Sequence, residues 1–210
     1  MKRGVIARLE DLGVSLFRIN LSHTKLVDFG DAVDFVQGLT SVPICLDTEG
    51  AQMRTGSLKK EKIFLEENSI IYVPYHAVIG DSKKFNLYPY EAVKELEVGD
   101  FLSIDFNSSL AQVIDKNSGA ATMKILVGGN IGQNKAVSVD RDILLPSLTA
   151  KDHKALRICE GKNIRHIALS FASRAADIDD IKDRVGKDAI VIAKIESIRG
   201  VTNFEGIAEK

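Results

Sequence analysis

Short, nearly continuous apolar runs alternating with amphipathic segments constrain this chain more than anything else in it. Residues 15–19 and 42–47 (Val-Pro-Ile-Cys-Leu-Asp) are such runs, and each follows a segment with apolar residues at helical spacing. In residues 2–12 these are Val5, Ile6, Leu9 and Leu12, closed by Gly13 as a helix C-cap. In residues 26–39 the wet side carries Asp28, Asp31 and Asp34. Strands apolar at almost every position are buried on both faces, the condition of a parallel sheet built from βα units. The rhythm returns late in the chain. A capped helix is expected near residues 149–160, then a strand at 164–171, a helix at 174–185, a strand at 189–195 and a last helix from about Ile198.

Between the two stretches the texture differs. Short β-prone runs occur at residues 63–65, 69–73, 101–104, 111–114 and 122–127, separated by turns such as Val98-Gly-Asp, Lys116-Asn-Ser-Gly and Gly128-Gly-Asn. This reads as an all-β insert. The expected division is 1–55 and 147–210 for the two parts of one α/β domain, with 56–146 as the inserted domain. Four parallel strands cannot close a barrel by themselves, so two architectures stay open: an open sheet, or part of an eight-stranded (β/α) barrel.

In βα architectures the strand C-termini share one rim, where functional groups gather. Arg18, Asn20, Ser22 and His23 close the first strand, Asp47 and Thr48 the second, Ser170 the third, and Lys194 and Glu196 the fourth. Arg18, Arg54 and Lys194 would attract an anion, with arginine able to bind phosphate bidentately, while Asp47 and Glu196 offer hard oxygens to a metal. A phosphorylated substrate with a cation is the inference. Plain alternatives stand beside it: Lys194 and Glu196 as a solvated pair, His23 as a helix N-cap, and Lys135, in the polar turn Asn134-Lys-Ala, as an ordinary surface lysine.

The totals exclude some partners. Lys and Arg number 28 against 29 Asp and Glu, a formal charge of −1, and no long basic block occurs, so neither nucleic acid nor an anionic membrane is expected. Cys45 and Cys159 lie in apolar contexts without metal-ligand spacing and read as reduced core thiols. The opening residues carry charges too closely spaced for a signal peptide, and no apolar run reaches membrane-spanning length. A soluble, cytoplasmic chain is expected.

Five motifs in order, Arg18-Ile-Asn-Leu-Ser-His23, Asp47-Thr-Glu-Gly-Ala-Gln-Met-Arg-Thr-Gly56, Leu145-Pro146 with Lys151-Asp152, Ser170-Phe171 and Lys194-Ile-Glu196, resemble those of the pyruvate kinases. The resemblance implies barrel strands two to five of a (β/α)8 TIM barrel, interrupted by an all-β barrel lid. It also implies transfer of the phosphoryl group of phosphoenolpyruvate to ADP in glycolysis. In the roles it implies, Arg18 and Lys194 are catalytic and bind substrate with Arg54 and Ser170. His23, Arg54 and Lys135 face the nucleotide. Glu196 holds Mg2+ or Mn2+, and Asn20, Ser22, Asp47 and Thr48 form a monovalent cation site.

Departures from the family pattern bear on these roles. The family's lysine after Asp-Thr is Glu49 here, its proline is Ala51, and its glutamate is Gln52. A glutamate there accompanies potassium dependence and a lysine independence; Gln52 supplies neither charge, so the potassium requirement stays open. The family's first strand, and the sixth with its Ala-Arg-Gly-Asp motif and second metal carboxylate, have no counterpart in these residues. The expectation is therefore a pyruvate kinase-like phosphotransferase, incomplete in this stretch alone. The alternative is a non-catalytic relative that binds a phosphorylated or carboxylated small molecule. Open barrel edges would be covered by further chain or by a second copy.

Overall fold

The computed structural model describes residues 3–50, 52–143 and 145–210. It divides into two units, one formed by Met1–Ala51 with Pro146–Lys210 and the other by Gln52–Leu145. The first unit begins with helix α1 (Arg3–Asp11), strand β1 (Phe17–Asn20), helix α2 (Leu26–Gln37) and strand β2 (Ile44–Asp47). Gly13 at φ +81 ends the first helix, a left-handed conformation that glycine adopts without steric cost.

The second unit holds β3 (Met53–Thr55), β4 (Lys62–Leu65), β5 (Ile70–Pro74), β6 (Leu87–Tyr88), the short helix α3 (Tyr90–Lys94), β7 (Phe101–Ile104), β8 (Ser109–Lys116), β9 (Ala120–Val127), β10 (Gly129–Gly132) and β11 (Ala136–Val139). Seven strands form one antiparallel sheet in the order β5-β9-β8-β7-β11-β3-β6. Its ends come together where Tyr72 N–H donates to Lys83 O (3.0 Å) and Phe85 N–H to Tyr72 O (3.3 Å), so the sheet is a nearly closed barrel. Leu65, Ile71, Phe85, Leu102, Met123 and Ile125 are among the side chains filling it.

Two expectations change here. The division expected after residue 55 moves to before Gln52, because Met53–Thr55 pairs with β11 and β6 of the second unit. The segment read as a Gly-Gly-Asn turn leads into β10, which pairs with β4. The glycines there mark close approach of backbone rather than a chain reversal: a Cβ on Gly129 would stand 1.7 Å from Ser108 O.

The chain returns to the first unit with α4 (Ala150–Gly161), β12 (His166–Leu169), α5 (Ala175–Val185), β13 (Ile190–Ala193), α6 (Ile198–Thr202) and α7 (Phe204–Ala208). The expected single last helix is thus two short ones that meet at Asn203. β1, β2, β12 and β13 form one parallel sheet in that order. Every residue of β2 is buried, which explains its unbroken apolar run. Ile19, Leu46 and Ile167, aligned across three strands, belong to one core with Phe29 and Val33 of α2, Leu156 of α4 and Ile181 of α5. β13 ends the sheet, and its alternate residues Ile190 and Ile192 are 53% and 43% exposed. No helix among the described residues is long and apolar enough to cross a membrane.

Cys45 and Cys159 are both buried and unpaired. Burial disfavours the thiolate and pushes both thiols upward, Cys159 to about 12, where a smaller contribution comes from the neighbouring Cys45. A thiol-specific chromogenic reagent at about pH 8 should therefore find neither cysteine in the folded chain and both after denaturation. Fast reaction of either thiol before unfolding would contradict this packing.

Candidate functional site

The parallel ladder brings the C-termini of its strands to one rim. Arg18 aligns with Cys45, Asn20 with Asp47, and Asp47 with Ala168. The ladder runs on past the strands: Leu21 N–H donates to Asp47 O (3.0 Å), Thr48 N–H to Ala168 O (3.0 Å) and Lys194 N–H to Leu169 O (3.0 Å). Residues distant in sequence are thus fixed beside one another by backbone alone.

Asp47 is the centre of the rim. Its side chain is 1% exposed, with Arg18 Nη1 3.3 Å from Oδ2 and Lys194 Nζ 3.0 Å from Oδ1. Ser170 Oγ lies 3.3 Å from the same Oδ1 but directs its closer contact, 2.6 Å, to Thr48 O. With one proton to donate, that hydroxyl is committed to the Thr48 carbonyl, and Thr48 Oγ1 in turn accepts the N–H of Ser170 (2.9 Å). Lys194 also lies 3.6 Å from Glu196 Oε1. The other oxygen of Glu196 accepts the N–H of Phe171 (3.1 Å), a residue held at φ +55, uncommon for an aromatic side chain. Arg18, Asp47, Ser170, Lys194 and Glu196 therefore form one connected polar cluster.

The remaining expected residues behave differently. Asn20 Oδ1 accepts the N–H of Ser22 (2.7 Å) and shapes the turn after β1. His23 is exposed in that turn; it does not cap α2, whose N-cap is Lys25 without a side-chain bond, because the helix starts beyond its reach. Arg54 and Lys135 belong to the second unit. There Arg54 Nη1 donates to Asn134 O (3.1 Å), Tyr88 Oη donates to Asn134 Oδ1, and Lys135 is half-buried with its stem over Gly132.

Three residues do more at the rim than the sequence disclosed. Asp152, wholly buried, accepts the N–H groups of Glu49 (2.7 Å), Gly50 (3.1 Å) and Thr149 (2.9 Å), and the Thr149 hydroxyl (2.8 Å). Its neighbour Lys151 contacts the carbonyl of Leu21 and lies 3.7 Å from Glu49 Oε1. The Thr-x-x-Asp spacing announces the capping box at α4; that the same aspartate secures a loop about 100 residues earlier has no local signal. Gly50, at φ +74, allows the loop to press on the third strand: a Cβ there would be 2.6 Å from Ser170 Cβ.

The donor set bears on which ions fit. Glu196 is a single carboxylate, and among the described residues no group of three His, Cys, Asp or Glu side chains could hold a metal ion. One exposed carboxylate fits a magnesium ion that keeps waters and takes oxygens from a substrate, not a cage made by protein alone. The monovalent set is partly engaged: Asn20 Oδ1 accepts Ser22 N–H, Thr48 O accepts the Ser170 hydroxyl, and Asp47 faces two cationic side chains, while both carbonyl oxygens keep a second lone pair and Asp47 Oδ2 accepts no aligned hydrogen bond.

A family model described as pyruvate kinase, barrel domain, matches residues 2–210. Curated relatives include the pyruvate kinase of Staphylococcus epidermidis, 27% identical over 216 residues, covering 98% of this chain and 37% of its own. That of Geobacillus stearothermophilus is 28% identical over 216 residues, with 97% and 37% covered. That of Thermotoga maritima is 26% identical over 212 residues, with 97% and 46% covered. The chain thus spans less than half the length of these relatives.

Asp152 offers a direct test of how the rim is held. Removing a buried acceptor strands several donors, and Asp152→Ala should destabilise the fold by about 3 kcal/mol, read as a lower urea midpoint. Asp152→Asn, which keeps one acceptor oxygen, should fall between the two. A midpoint within error of wild type for Asp152→Ala would show that the loop is held by other contacts.

Proposed function

The chain belongs to the pyruvate kinase barrel-domain family, and on that premise we propose that its parallel sheet is an arc of a (β/α)8 barrel bearing the phosphoenolpyruvate side of a phosphotransferase site. Strand order supports the arc. Right-handed crossovers between strands taken in sequence put all the helices on one face, whereas doubly wound sheets reverse their order at a switch point; β1-β2-β12-β13 has no reversal. In this reading the two edge strands are covered by further barrel strands or by a second copy.

The observation that carries the functional reading is that Arg18 and Lys194, from opposite edges of the sheet, share the buried carboxylate of Asp47. Stripping a buried charge of its partner costs about 3–5 kcal/mol, so both cations cannot leave Asp47 together. Arg18, with a side chain 58% exposed, is the one placed to turn towards a ligand phosphate; Lys194, 28% exposed, stays and keeps Asp47 neutralised. Lys194 then meets the negative charge that shifts during phosphoryl transfer, a reaction governed by positioning and electrostatics. Ser170 supports the site by holding Thr48, to whose carbonyl its hydroxyl is committed.

Charge balance shows what else the site needs. Arg18 and Lys194 offset Asp47 and Glu196, so the cluster alone has no net attraction for an anion. A divalent cation on Glu196 would make it positive and would polarise the enol and carboxylate oxygens of phosphoenolpyruvate. His23, Arg54 and Lys135 are assigned to ADP in the same reading, and a glycolytic, cytoplasmic setting follows from these substrates. Glu49 and Gln52, standing where the family motif has lysine and glutamate, favour a second reading, a non-catalytic domain that binds a phosphorylated or carboxylated small molecule.

Pyruvate release from phosphoenolpyruvate and ADP with Mg2+, followed by coupled reduction to lactate, separates the two. For the enzyme, Lys194→Met should lower kcat by at least about 100-fold, and Arg18→Ala should act chiefly on the KM for phosphoenolpyruvate. Binding abolished by Arg18→Ala, without turnover in the wild type, selects the binding domain. Neither binding nor turnover rejects both.

A further inference from the structure

Lys151 stands in the first turn of α4, yet its ammonium serves neither the helix nor solvent. It donates to the carbonyl oxygen of Leu21, which otherwise receives only a long 3.4 Å contact from Thr24 N–H. It also lies 3.7 Å from Glu49 Oε1, and the two side chains are only 27% and 15% exposed. Leu21 separates Asn20 from Ser22, and Glu49 follows Asp47 and Thr48. One lysine thus touches both loops that carry the rim residues of the first two strands.

The backbone alone does not hold these loops together. The last ladder bond between them is Leu21 N–H to Asp47 O, and beyond it the chains part. Asp152 secures the second loop, through Glu49 and Gly50, but no bond from it reaches the first. Lys151 supplies that missing tie. Glu49, where the family motif has lysine, is its counter-ion; with Lys151 removed, Glu49 would add an unmatched negative charge close to an anion site.

We propose that Lys151 is a positioning residue: its ammonium locks the loop after β1 to the loop after β2, and so fixes where Arg18 stands between Asp47 and the ligand. This rests on the anion site proposed above, but the tie itself can be judged separately. Lys151 touches no reacting atom, and its effect passes through Leu21 and Glu49.

The test combines ligand affinity with local protection. Lys151→Met should weaken phosphoenolpyruvate binding by about tenfold while the chain still unfolds cooperatively, and Lys151→Arg should recover most of the loss. Glu49→Gln added to Lys151→Met should restore part of the affinity by removing the stranded charge. Amide hydrogen exchange should rise at Ser22, His23 and Thr24 in Lys151→Met but not at Glu49 and Gly50, which Asp152 holds. Wild-type affinity in Lys151→Met, or no rescue by arginine, overturns the positioning role. If the wild type itself binds no phosphoenolpyruvate, the anion reading falls and exchange alone decides: unchanged protection at residues 22–24 overturns the tie, and raised protection loss there upholds it. Should Lys151→Met fail to fold, Lys151→Gln, neutral but still a donor, takes its place in each measurement.

Discussion

A carboxylate with almost no exposed surface, at the end of a parallel strand, has to be met by positive charge or by donors, and Asp47 sets this demand for the rest of the rim. The fold answers with one cation from each edge of the sheet, Arg18 and Lys194. These side chains start on β1 and just after β13, with β2 and β12 between them. Their convergence requires strands in register and loops that leave the ladder in the same direction. The hydrogen bonds continuing past the strands, at Leu21, Thr48 and Lys194, provide both. Charge and backbone geometry are therefore one constraint here: altering the register by a residue would turn the Asp47 side chain to the other face of the sheet, away from Arg18 and Lys194.

The first turn of α4 is the second support. Its capping box is locally complete with Thr149 and Asp152, yet Asp152 has oxygens enough to hold the Glu49 and Gly50 amides as well. Ionised carboxylates accept up to about four hydrogen bonds, and Asp152 uses that full capacity. Gly50 answers the same need from the other side, because only a residue without a Cβ lets the loop lie against Ser170.

The course of the fold could be read from sequence wherever burial imposes a period. Continuous burial of β2 and the helical spacing in α2 are intrinsic to their own residues, and the elements fall close to their expected places. The second unit was legible as β structure but not in its pairing. Gly128 and Gly129 look like turn residues, and only the nearness of Leu65 O to the first and of Ser108 O to the second shows why the backbone needs glycine there. In the site, residue types at strand ends pointed to the cluster of Arg18, Asp47, Lys194 and Glu196. Which of them would share a partner did not follow, since contacts between different strands leave no periodic trace. Ser170 illustrates the limit: its position was readable, but its commitment to Thr48 O depends on a register that only the assembled sheet defines.

That Asp152 grips the residues just before the β insert also bears on how one fold can tolerate such an interruption. The insert leaves the first unit after β2 and returns just ahead of α4, so a closure of many residues must be satisfied at this point. Closure entropy grows only with the logarithm of length, roughly 0.6 kcal/mol for each doubling. The two hydrogen bonds that reach across the insert, from Glu49 and Gly50 to the buried carboxylate, are each worth about 1.5–3 kcal/mol when the acceptor is charged and exceed that increment several-fold. The loop following a parallel strand is also where βα folds accept added chain without disturbing the ladder. The grip on Glu49 and Gly50 lies beside Asp47, so the bonds that close the insert also stiffen the loop carrying the central carboxylate. Stability of the interruption and precision of the rim thus come from the same few atoms.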